Sequence, residues 1–252
     1  MMIKKRGAFT KQRWMFEGST RPAAAGGVNA YVAKILALSP FAYYKLIETS
    51  GNAADSSGNS LTGTASGITW NSLANAAGDG NAPKGDGLND YIDMANAGGF
   101  DTPFDGDTGS IVFDVWSSSY DKATEYVIHL KVDASYSIQV FIRTSPGGFG
   151  LFRVAAGGSK GVLVGSGTMT TSAWQRMGIT WDSGTVKVYR QGAQTGGDQA
   201  GGAGWIGSLD NSAVSMMASD NSGTSSLDGY LSHVAFFNTV LSGATFTDLG
   251  AA

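Results

Sequence analysis

The side chains equipped for chemistry are few and scattered. Cleaving a sugar linkage by the usual route takes two carboxylates held about 5–10 Å apart across the bond. The chain has only three glutamates, Glu17, Glu48 and Glu125, and none has another acid two residues away on a strand. Asp114 lies between Phe113 and Val115, again without an acidic partner at strand spacing. The two histidines, His129 and His233, alternate with apolar neighbours, as satisfied or surface histidines do more often than a catalytic base. Cysteine is absent, which removes thiolate metal sites, disulfides and a cysteine nucleophile. Glycine pairs such as Gly147-Gly148 and Gly157-Gly158 are not followed by Lys-Ser/Thr, so they do not form a phosphate loop.

Two kinds of binding chemistry remain. Calcium takes oxygen ligands from Asp, Asn and backbone carbonyls. Asp55 and Asn59 offer such oxygens in one loop, and Asp101, Asp105 and Asp107 offer them in another. Ordinary Asx turns use the same residues in the same spacing. Sugar binding needs aromatic platforms beside polar groups on loops. Trp205, in the segment Gly-Gly-Ala-Gly-Trp, is the first candidate because its glycine flanks leave room around the ring, and Trp70 is the second. Trp116, Trp174 and Trp181 alternate into strand patterns and are expected in the core.

The elements that must position these groups read as strands. Tyr43 to Glu48 opens one, and it runs into a loop through Thr64 so dense in Gly, Asn, Asp and Ser that no regular element continues. Such a polar loop on an early strand needs a partner strand, which the C-terminal part of the chain can supply. Strands are predicted at 110–118, 125–132, 136–143, 149–155, 174–181, 185–190, 215–219 and 230–237. Turns at Asp133-Ala134-Ser135 and Asp182-Ser183-Gly184 mark hairpins. Short strands at this spacing without intervening helices predict an all-β antiparallel sandwich over residues 41–252. Before it, Val28 to Leu38 has the spacing of a short helix, with Asn29 as its cap and Pro40 as its stop. No second helix is expected.

Composition agrees. Among 252 residues, 37 are glycine and only 15% are charged, while the net charge of −3 and an ordinary apolar share exclude disorder. No run of 18 apolar residues exists, so no membrane insertion by a helix is expected. Charge is uneven. Residues 1–21 carry a net +5, leaving −8 on the rest, which argues against a polyanion-binding surface on the sandwich. Lys4, Lys5, Arg6, Lys11 and Arg13, with Trp14 and Phe16, make residues 1–40 an expected anchoring arm, hinge and helix. The apolar stretch of a secretory signal does not follow the first basic residues.

Five segments then resemble one family in its own order. They are Tyr43-Tyr-Lys-Leu-Ile-Glu48 with Ala54-Asp-Ser-Ser-Gly-Asn59, Gly87-Leu-Asn-Asp-Tyr-Ile92, Trp174 to Asp182, Val186-Lys-Val-Tyr-Arg-Gln-Gly192, and Leu227-Asp-Gly-Tyr-Leu231 with Phe237-Asn-Thr-Val-Leu-Ser242. Together they are similar to laminin-G-like, concanavalin A-like domains, which implies a jelly-roll of two antiparallel sheets. Sandwich glucanases of that architecture place their carboxylates on one strand as Glu-x-Asp-x-x-Glu, a pattern missing here. Many relatives carry Asp-Glu where this chain has Ser232-His233, which puts a shared metal site in doubt. The prelude Ala37-Leu-Ser-Pro40 is similar to members carried on tailed-phage virions. The resemblance implies a non-enzymatic virion protein, a capsid decoration or tail component, with a lectin-like domain for glycan or host-surface adhesion. Its expected partners are other virion proteins reached through the arm, and further copies of itself. A stand-alone carbohydrate-binding module or glycoside hydrolase is the alternative.

Overall fold

The computed structural model describes residues 29–251, except 96–98, 118–121, 144–147, 156–157, 165–169, 183, 201–203, 206 and 211–213. The arm residues Lys4, Lys5, Arg6, Lys11, Arg13, Trp14 and Phe16 lie outside this set.

Helix α1 (Ala30–Ala37) is capped by Asn29, whose Oδ1 accepts from Tyr31 N at 2.9 Å. Fifteen strands follow among the described residues. They are β1 (Ala42–Tyr44), β2 (Thr64–Ser66), β3 (Thr69–Ala74), β4 (Asn81–Asp86), β5 (Tyr91–Asp93), β6 (Thr108–Ser117), β7 (Glu125–Asp133), β8 (Tyr136–Arg143), β9 (Gly148–Ala155), β10 (Gly158–Val164), β11 (Gln175–Asp182), β12 (Thr185–Arg190), β13 (Ala193–Ala200), β14 (Val214–Met216) and β15 (Asp228–Phe237). A second helix, α2 (Gly243–Gly250), closes the described chain, against the expectation of only one.

Two antiparallel sheets form the sandwich. One has eight strands in the order β13-β12-β11-β6-β15-β4-β3, with β1 also paired to β15. The other has seven, in the order β10-β9-β8-β7-β14-β5-β2. The partner that the opening strand needs is β15, with Tyr43 opposite Ala235. Along β6, Ile111, Phe113 and Val115 point inward and join Met177, Ile179, Leu231 and Phe236 in the main core. The alternate residues of that strand face outward.

That outer face carries a second core. Tyr31, Val32 and Ile35 of α1 pack with Tyr43, Val112 and Tyr189 of the sheet and with Phe246 and Leu249 of α2. Helix α1 is therefore part of the packed domain rather than of the arm. Helix α2 forms where its sequence, Gly-Ala-Thr-Phe-Thr-Asp-Leu-Gly, has weak helix propensity. Ser242 caps it by accepting from Thr245 N at 3.1 Å, and Phe246 stacks on Tyr189 at 4.1 Å between ring centroids. Gly178 makes that seat possible, because a Cβ there would overlap the Phe246 ring.

Candidate functional site

The opening loop is held by one carboxylate. Asp55 Oδ1 accepts from Tyr43 N at 2.9 Å and Ser57 N at 2.8 Å, while Oδ2 accepts from Ser57 Oγ at 2.7 Å and Leu61 N at 3.0 Å. Asn59 turns its Nδ2 toward Phe41 O at 3.0 Å. Calcium would need about six to eight oxygens around it. Both oxygens of Asp55 are instead committed to N–H and O–H donors, so this pair does not fit a calcium shell. Among the described residues no three His, Cys, Asp or Glu side chains gather as a metal-binding group. The second acidic loop is likewise a set of staples. Asp101 accepts from Leu209 N at 2.6 Å, Asp105 from Asp107 N at 2.8 Å, and Asp107 from Trp205 N at 2.7 Å.

Those staples place Trp205. Its ring lies over Gly106 and stands edge-on to Phe104 at 5.6 Å and Tyr136 at 5.9 Å. It is half-buried against the main core, so its glycine flanks do not leave it standing clear. Trp70, on β3, also rests half-buried against that core. Strand register puts the two at opposite ends of the sandwich. Trp205 is beside the start of β6, whereas Trp70 neighbours Thr69, which pairs with Lys84 and through it with Tyr230 near the end of β6. The two candidate platforms do not form one site.

The buried charges sit under the helices. Arg176 clamps Asp114 with two hydrogen bonds, Nε to Oδ1 at 2.9 Å and Nη2 to Oδ2 at 3.1 Å, and donates from Nη1 to Leu249 O at 2.7 Å. Its guanidinium carbon lies 3.6 Å above the centre of the Tyr31 ring. The same residue therefore ties β6, β11, α1 and α2 together. Of the described glutamates, Glu48 accepts from Ala54 N at 3.0 Å and Glu125 from Asp228 N at 3.3 Å. These carboxylates hold backbone in place.

His233 is fully buried at the bulge of β15, with φ at +53°. Tyr43 Oη lies 2.7 Å from its Nδ1, and Asp79 Oδ1 lies 3.0 Å from its Nε2. Burial pushes the Tyr43 phenol pKa up, so the hydroxyl keeps its proton and donates to Nδ1, which puts the ring proton on Nε2, facing Asp79. Burial also acts to raise the Asp79 carboxyl. The hydrogen bonds from the His233 ring and the Asn75 amide outweigh that and hold it below its ordinary value. The native state thus binds this proton less tightly than the unfolded chain. The resulting stabilisation is present above the ordinary carboxylate range and is lost as pH falls through the depressed native pKa. Urea unfolding followed from about pH 6 to pH 3 should show this loss, and Asp79→Asn should flatten the acid limb of the profile.

Beyond α2, three aromatic side chains line the outer face of the eight-stranded sheet. Trp116 of β6 and Tyr230 of β15 are cross-strand partners with ring centroids 4.9 Å apart at 82°. Trp174 leans on Tyr230 at 6.4 Å and is fixed by a bond from Nε1 to Ala74 O at 2.9 Å. All three rings are half-buried and none belongs to either core cluster. Trp181 alone of the three tryptophans expected inside is buried there. Beside Trp174 a cleft of about 300 Å³ is lined by Ala76, Arg176, Gln191 and Gly250. The alternation that turns Ile111, Phe113 and Val115 inward is the sequence signal that turns Trp116 outward.

Residues 86–245 match the family described as the concanavalin A-like lectin/glucanases superfamily. Among solved structures, domain 4 of AbnA, a GH43 extracellular arabinanase from Geobacillus stearothermophilus, in complex with arabinotriose, is similar at 17% identity and a TM-score of 0.62. The match covers 84% of this chain and 98% of that one. The botulinum neurotoxin serotype D ligand-binding domain in complex with N-acetylneuraminic acid aligns at 14% identity and a TM-score of 0.60, over 86% of this chain and 52% of that one. Trypanosoma rangeli sialidase, at 11% identity and a TM-score of 0.59, aligns over 83% of this chain and 32% of its own. No curated protein sequence matches.

Proposed function

The chain belongs to the concanavalin A-like lectin/glucanases superfamily, and from that premise we propose that it is a non-enzymatic, glycan-binding display module of a phage virion, tethered by its basic N-terminal arm. The observation that carries the non-enzymatic reading is the fate of the acids. Asp114 is neutralised by Arg176, and Glu48 and Glu125 hold backbone amides, so none of these three is paired with a second acid. Asp86 and Asp228 stand side by side on paired strands rather than across a groove, and Asp86 Oδ1 already accepts from Leu88 N at 2.8 Å. The glycan reading is supported by the sugars bound in two of the similar structures, arabinotriose and N-acetylneuraminic acid. Virion attachment is supported by the +5 charge of residues 1–21 and by the resemblance at Ala37-Leu-Ser-Pro40. It also fits the docking of α1, which fixes where the arm meets the domain. Partner virion proteins and further copies of the chain are the contacts this reading calls for, and adhesion to a host surface is its use. Among the described residues no helix is long and apolar enough to cross a membrane.

The test has two arms. Glycan-array screening of the full chain should give binding, and incubation with the bound glycans should release no reducing ends. Release of reducing ends would favour the hydrolase alternative. Removing residues 1–28, and so leaving α1 in its seat, should keep the domain folded but abolish incorporation into particles. Incorporation of the shortened chain would overturn the tethering role.

A further inference from the structure

We infer that the sugar platform is the aromatic strip formed by Trp116, Tyr230 and Trp174 on the outer face of the eight-stranded sheet, and that it takes neutral oligosaccharides. This rests on the glycan-binding reading above and adds to it a site and a ligand class. Trp205 and Trp70, which the sequence pointed to, spend part of their ring surface on the main core. The three rings of the strip belong to neither core cluster, and Tyr230 pairs with each of the two tryptophans. They stand on rigid supports. Trp116 and Tyr230 are opposite each other on paired central strands, and Trp174 is pinned through its indole nitrogen. Pyranose faces stack on aromatic rings held in this way, with nearby polar groups fixing orientation.

The surroundings select the class. Lys84 is opposite Tyr230, and Asp86 is opposite Asp228, two residues further along the same face of both strands. Arg176 lines the adjoining cleft with its charge already matched by Asp114, and Gln191 supplies an amide there. A polyanionic glycan would meet the two carboxylates. A hydroxyl-rich neutral sugar donates to Asp86 and Asp228, accepts from Lys84, and seats a terminal residue in the cleft beside Trp174. A protein interface of ordinary size would add aliphatic area. Of the exposed large hydrophobics among the described residues, Leu36 is on α1 and Val240 follows β15, while only Leu88 stands near the strip, its N–H donating to Asp86 Oδ1 at 2.8 Å.

Calorimetric titration of the full chain tests the inference, using cello-, xylo-, manno- and arabino-oligosaccharides of three to six units and sialyllactose as the anionic probe. At least one neutral series should bind. Trp116→Ala and Tyr230→Ala should each weaken it tenfold or more, whereas Trp116→Phe, which keeps a ring on the strand, should retain most of the affinity. Lys84→Ala should weaken it less, and Trp205→Ala should leave it unchanged. Folding of each variant is checked by its thermal midpoint. Unchanged binding by folded Trp116→Ala and Tyr230→Ala overturns the site while the glycan reading stands. Binding of sialyllactose alone overturns the ligand class. Failure of every probe to bind, with a blank glycan array, removes the glycan reading and this inference together.

Discussion

Replacing Arg176 with Met should destabilise the domain by about 3–5 kcal/mol, because it takes from the Asp114 carboxylate its ion-pair partner among the described residues. Asp114 is fully buried and Arg176 is 7% exposed. Removing one partner leaves a charge that can neither hydrate nor pair. The loss is larger than for an isolated ion pair, since Arg176 also holds the last carbonyls of α2 through Leu249 and lies against Tyr31 of α1. Denaturant titration should show a lower midpoint, with the C-terminal helix opening first by amide exchange. Replacing both partners, Asp114→Leu with Arg176→Met, should recover much of the loss, because a buried pair traded for apolar groups of similar size is often neutral or better. A double variant as unstable as the single one would show that the helix contacts, rather than the charge, dominate.

Asp55→Ala should cost about 3 kcal/mol, the sum expected when several charge-assisted hydrogen bonds are lost and buried donors such as Tyr43 N are left without an acceptor. Asp55→Asn, which keeps one acceptor oxygen, should cost less. If the carboxylate acts only through these donors, the thermal midpoint of the parent should be the same with and without a calcium chelator. A chelator-dependent midpoint would mean that the loop holds an ion despite its donor set.

Much of this architecture was legible in the sequence where the physics is local. Alternation in β6, β8 and β11 marks strands because every second residue of each is an apolar side chain of the main core, and the turns at 133–135 and 182–184 carry residues that turns favour. The C-terminal segment was also identified as the partner for the opening strand. Other parts were not legible, for definable reasons. Strand β4 reads Asn-Ala-Pro-Lys-Gly-Asp and β13 reads Ala-Gln-Thr-Gly-Gly-Asp-Gln-Ala. Neither has an apolar period, because such strands are held by their neighbours' ladders rather than by their own side chains. Helix α2 is similar: its stability comes from the seat over Gly178 and the carbonyl held by Arg176, which no local propensity reports. Trp116 and Trp174 were expected in the core because large apolar residues in strands are mostly buried. The strand's own alternation, with Asp114 and Trp116 on the same side, carried the opposite message. Trp205 shows the reverse case, where flexible flanks suggested exposure and long-range staples from Asp107 fold the ring down.

The seat of the two helices has a topographic consequence. Lys34 of α1 and Asp248 of α2 form an ion pair at 2.8 Å, and both helices lie on the same face of the eight-stranded sheet. The polypeptide therefore enters and leaves the packed domain side by side. A fusion after Ala251 emerges beside Gly250, which lines the cleft next to Trp174. The seven-stranded sheet lies across the sandwich from both helices, and cargo meant to leave the strip accessible belongs on the turn between β7 and β8.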